Sequence, residues 1–89
     1  MEKLIKKLRK ILEMRFRDAV IELEPLSSGT KVTGTIVWKG FGRYDNLKRH
    51  ELLQRSLEKA LTLDERRNLS LISCFTPREA EFVNAQDPD

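Results

Sequence analysis

Between Phe16 and Ala19 the apolar residues change period, and that switch limits the fold more than any other feature of the chain. Leu4, Ile5, Leu8, Ile11, Leu12 and Phe16 recur at helical spacing, with lysines and arginines between them. This predicts an amphipathic helix over about residues 2–16, one face docked and the other solvated. A basic amphipathic helix can also lie on anionic lipid or bind a partner. From Asp18 the period is two. Ala19, Ile21 and Leu23 alternate with Val20, Glu22 and Glu24, which describes a half-buried strand ended by Pro25. Leu26-Ser27-Ser28-Gly29 reads as a turn. A second strand, from Thr30 to about Lys39, places Val32, Gly34, Ile36 and Trp38 on one face and Thr33, Thr35 and Val37 on the other. Two strands across a short turn form an antiparallel hairpin.

Lys39-Gly40-Phe41-Gly42-Arg43 reads as a loop, and Asp45 as the N-cap of a helix running to about Leu61. On that helix Leu47, His50, Leu53, Leu57, Ala60 and Leu61 fall on one stripe. Asp64 to Asn68 turns the chain into a short third strand, Leu69 to Phe75. A last helix starts with Thr76 as cap, Pro77 at its first position and Glu79 in its first turn. The economical solution for helix, strand, strand, helix, strand, helix is an α+β sandwich, with helices on one face of a three-stranded mixed sheet. One domain is expected over residues 1–83, followed by a polar tail over 84–89.

Charge is distributed unevenly. Residues 1–17 hold seven Lys and Arg against two Glu, while the whole chain of 89 residues carries only +3. A second basic cluster runs from Lys39 to Arg49. A single cysteine, Cys74, allows no internal disulfide, and with the single histidine, His50, it cannot supply a four-ligand zinc site within the chain. No apolar run approaches the ~20 residues of a membrane span. The basic N-terminus lacks the apolar segment of a signal peptide, so a cytoplasmic location is expected and a membrane partner is not.

Ile36-Val37, Phe41, Lys48-Arg49-His50 and Thr76-Pro77 occur in an order and spacing that resemble the BolA family, over roughly residues 30–82. The resemblance implies a fold related to the type II KH domain. It also implies roles in nucleic-acid binding and transcriptional regulation, and partnership with monothiol glutaredoxins around a shared [2Fe–2S] cluster. The family pattern places one ligand histidine at the start of the third strand, which is Asn68 here, and a His or Cys in the hairpin region. Leu26 to Lys31 holds neither. No cofactor is therefore expected.

His50 is expected to pack on the leucine stripe, since a metal site needs several ligands and a second shell. Cys74, sharing a face with Ser70 and Ile72, is expected to be an inert buried thiol. The segment WKGFGRYDNLKR is the candidate nucleic-acid surface. It offers Lys39, Arg43, Lys48 and Arg49 to phosphates, and Phe41 and Tyr44 as aromatic contacts. In the competing reading Trp38 and Phe41 close the core and the cations are simply solvated. Gly40-Phe41-Gly42 does not match the Gly-x-x-Gly clamp of KH domains. No catalytic motif is present, and the Asp64-Glu65 pair reads as a solvated turn. The expectation is a non-enzymatic regulator binding DNA or RNA, or else an adaptor for a glutaredoxin-like protein.

Overall fold

A computed structural model describes residues 2–26 and 31–85. The first helix, α1 (Glu2–Arg15), ends just before the period switch. Phe16 still donates its N–H to Leu12, and Asp18 turns the chain with φ of 67°. That left-handed conformation is one that Asp tolerates better than most residues. Strands β1 (Val20–Pro25) and β2 (Val32–Val37) pair antiparallel, with Ile21 opposite Ile36. The expected Ser27–Gly29 turn lies outside the described residues. Strand β3 (Leu69–Phe75) joins the other side of β2 in parallel, so the sheet is mixed, with order β1-β2-β3. The parallel connection requires a crossover. The chain supplies it as a 3-10 turn (Lys39–Arg43), helix α2 (Asn46–Ala60) and the short helix α3 (Leu63–Arg67). Helix α4 (Pro77–Ala85) follows β3 and extends into the expected tail.

The core lies between the sheet and the helices. Ile21, Ile36 and Cys74 form one row across all three strands. Leu8 and Leu12 from α1 and Phe16 just after it meet Leu53 and Leu57 of α2, Leu61, Val32, Ile72 and Phe41 in the same cluster. Each fully buried side chain of this kind contributes about 1.5–3 kcal/mol of transfer free energy. The opposite row, Val20, Val37 and Phe75, faces outward. Gly34 allows β1 and β2 to approach closely, because a Cβ there would strike the Glu22 carbonyl and the Leu23 side chain.

Three caps fix the helix starts. The Asp45 side chain accepts from the Lys48 N–H at 2.9 Å. Thr62 and Glu65 form a reciprocal capping box, as do Thr76 and Glu79. Two local expectations are corrected. Lys39–Arg43 is a 3-10 turn rather than an irregular loop. Asp64–Arg67 is helical because Thr62 and Glu65 satisfy each other's backbone N–H groups.

Candidate partner-binding face

The segment after β2 is held by three aromatic rings. Phe41 is fully buried, with its ring centroid 5.2 Å from that of Phe16 and 5.1 Å from that of Trp38. The Trp38 indole N–H donates to the Arg17 carbonyl at 3.0 Å, tying this turn to the end of α1. A ring so enclosed presents no face to a base. Phe41 therefore closes the core and is withdrawn from the expected aromatic contacts.

Arg49 is also inside, at 6% exposure. Its Nε donates to the carbonyls of Phe41 and Tyr44 at 3.1 and 3.0 Å. Nη1 donates to the Cys74 carbonyl at 3.2 Å and to Glu79 Oε1 at 2.6 Å, and Nη2 donates to Glu79 Oε2 at 3.3 Å. A guanidinium tied to three carbonyls and a carboxylate is not offered to a phosphate. Its role is to join the 3-10 turn, α2, β3 and α4. Arg49 thus occupies the buried ridge, with Leu53 and Leu57 at i+4 and i+8. His50 was expected on that ridge and is instead exposed, lining a small pocket with Gln54, Arg66 and Ser70. Leu47 is 68% exposed, so it too leaves the stripe.

Lys39, Arg43 and Lys48 are on the surface and Tyr44 is half-buried. Arg43, Tyr44 and Lys48 line a groove of about 400 Å³ with Glu51, Leu52 and Arg55, whereas Lys39 does not line it. Leu52 and Arg55 also line a second groove, of about 560 Å³, between α1 and α2. Its other walls are Ile11, Met14 and Arg15 from α1 and Ser56, Lys59 and Ala60 from α2. The two grooves thus adjoin on one helical face. Among the described residues Arg15, Arg43, Arg55 and Lys59 form no ion pair, while Lys48 lies 3.6 Å from Glu51. The sequence reading missed Arg15, Arg55 and Lys59. The available signal was a second stripe on α2, with Leu52, Arg55, Ser56 and Lys59 at i, i+3, i+4 and i+7.

Cys74 is 6% exposed, and burial pushes its thiol up to about 11. Its expected neighbour Ser70 is exposed, because the β2–β3 register shifts between the Val32 and Gly34 pairings. Two β3 residues then span the place of one, and the alternation restarts at Ile72. Asn68 caps the end of α3 immediately before β3, where its carbonyl accepts from the Val32 N–H at 2.8 Å. It offers an amide where an iron–sulfur ligand would need imidazole or thiolate. Among the described residues no group of three His, Cys, Asp or Glu side chains could hold a metal ion. With the one thiol protonated in the core, these residues do not fit a [2Fe–2S] cluster. No described helix is long and apolar enough to cross a membrane.

This architecture defines a class: a small α+β domain with a three-stranded mixed sheet, whose parallel crossover here carries the buried Arg49. The chain has the fold of BolA-like proteins. It is similar to the structure of BolA1 from Arabidopsis thaliana, at 27% identity and a TM-score of 0.60, over 89% of this chain and 98% of that one. It is similar to the BolA domain of SufE1 from Arabidopsis thaliana, at 26% identity and 0.56, over 89% and 96%. A Bol-like protein from Babesia bovis shares the fold, at 18% identity and 0.58, over 89% and 91%. No family model and no curated protein matches the chain.

Proposed function

We propose that the chain is a non-catalytic BolA-like adaptor that docks a protein partner on the face made by α1, the 3-10 turn and α2. The observation that carries this proposal is the pair of adjoining grooves, in which cations surround apolar side chains. A patch of this composition suits a partner that brings both carboxylates and apolar groups. Withdrawal of Phe41 and Arg49 into the core removes one expected base-stacking ring and one expected phosphate contact. A monothiol glutaredoxin-like protein, the partner class implied by the resemblance, would dock without a cluster ligand at Asn68. The test is co-purification from native cells followed by nuclease treatment. A partner retained after nuclease supports the adaptor role, and one released by nuclease contradicts it.

The surface placement of Lys39, Arg43 and Lys48, with Tyr44 beside them, favours nucleic acid as a second partner class. Reversing the charge of Arg43 and Lys48 then abolishes a salt-dependent gel shift with DNA or RNA. A shift unchanged by both reversals removes nucleic acid from this surface.

A further inference from the structure

The groove between α1 and α2 has an apolar floor and a cationic rim. Ile11, Met14, Leu52 and Ala60 supply apolar surface. Ser56 adds no free hydroxyl donor, because its Oγ donates to the Leu52 carbonyl at 2.9 Å. Arg15 stands on one side and Arg55 and Lys59 on the other, and among the described residues no Asp or Glu lines the groove. No aromatic side chain lines it either. Met14, 75% exposed, is a flexible thioether of the kind that adapts to apolar partners.

We propose that this groove docks an acidic amphipathic helix from a protein partner. The proposal rests on the adaptor role above and specifies the partner's chemistry. A groove between two packed helices fits the side-chain ridge of a third. Apolar residues at i, i+3 or i+4, and i+7 would lie on Met14, Ile11, Leu52 and Ala60. Asp or Glu on the flanks would meet Arg15, Arg55 and Lys59. Charge complementarity selects acidic over basic helices, since like charges brought together are strongly disfavoured. Nucleic acid fits the groove less well, because its bases find no ring on which to stack. α1 has 14 residues. A matching segment is about four turns long, or roughly 21 Å.

The probe is a fluorescein-labelled synthetic helix of about four turns, with leucines on one face and glutamates on the flanks. It is titrated into the ¹⁵N-labelled protein. Saturable binding is expected, with amide shifts centred on Ile11, Met14, Leu52, Ser56 and Ala60. Met14→Asp places a carboxylate on the floor at an exposed position, so folding, followed by circular dichroism, should be retained. It should weaken binding at least about tenfold. Arg55→Glu should do the same, as should replacing the peptide's glutamates by glutamine. Unchanged affinity in Met14→Asp, or shifts confined to Arg43 and Lys48, overturns the groove while leaving the adaptor role standing. A duplex oligonucleotide that binds where the peptide does not overturns the groove as a helix-docking site, and the adaptor role is then read from the nuclease step. Absence of binding by either probe overturns the groove, and nuclease-resistant co-purification then decides the adaptor role separately.

Discussion

Arg49 and Glu79, 30 positions apart, form a two-point ion pair at 2.6 and 3.3 Å across α2 and α4. The same Glu79 carboxylate caps α4, with Oε1 accepting from the Thr76 N–H at 2.8 Å. Crossover, third strand and last helix therefore depend on one charge pair. Arg49→Ala removes the guanidinium from the Tyr44 and Cys74 carbonyls and from Glu79, and should destabilise by about 3–5 kcal/mol, at roughly 1–3 for each buried acceptor that loses its donor. Glu79 is 45% exposed at its side chain. Glu79→Gln keeps some of the cap, so it should cost less, about 1–3 kcal/mol. Urea unfolding checks both, and equal losses would contradict this division of roles.

The pair also sets an acid limit. The Arg49 guanidinium, then the Thr76 N–H, hold the Glu79 carboxyl below its ordinary 4.5. The unfolded chain therefore binds the proton more readily. The stabilisation is fully present above 4.5 and is lost as pH falls through the folded-state value. Glu65 behaves in the same direction, through the Thr62 N–H and Lys7. Stability should fall as pH drops through this window, with a shallower slope in Glu79→Gln. Identical slopes in the two proteins would show that Glu79 is not linked.

Cys74 should be unreactive in the folded protein. With its thiol pushed up to about 11 by burial, little thiolate exists near neutrality. Modification by a water-soluble disulfide reagent should be slow in native buffer and fast in concentrated urea. Equal rates would place the thiol at the surface.

Gly34 is held by contact rather than by conformation. Gly34→Ala drives a methyl into the Glu22 carbonyl and Leu23, so the hairpin must separate. The expected loss is about 1–3 kcal/mol. Gly42 is the control: a Cβ there meets only the Thr76 methyl, at 3.9 Å, and Gly42→Ala should be near neutral. Thermal unfolding of the two variants separates the cases.

How far the chain could be read in advance follows from how local each determinant is. The period switch after Phe16, the Asp45 cap and Thr76-Pro77-Arg78-Glu79 act within a few residues, and they specified α1, the hairpin, α2 and α4. The Thr62-x-x-Glu65 box is equally local, but the charged run Asp64-Glu65-Arg66-Arg67 fits a solvated turn as well as a helix. Arg49 and His50 exchanged expected places for a different reason. A cation on a helix reads as solvated, and Arg49 is tolerated inside by the carbonyls of Phe41, Tyr44 and Cys74 and by Glu79, the last two remote in sequence. The outward Ser70 depends on a register shift between strands, which no alternation within β3 reveals. The candidate face is the least local feature. Leu52, Arg55, Ser56 and Lys59 form a visible stripe, but it becomes a groove only when Ile11, Met14 and Arg15 of α1 pack beside it.

The central claim is that the cations of the two adjoining grooves, and not net charge, recruit an acidic partner, for which heparin is a polyanionic stand-in. Retention on heparin tests it most directly. Lys48→Glu/Arg55→Glu changes two cations of the grooves, and Lys3→Glu/Lys10→Glu makes the same charge change at exposed positions of α1 outside them. The account predicts that the first variant elutes at much lower salt than the second, whose elution stays near that of the unmodified chain. Equal shifts in the two variants would contradict it.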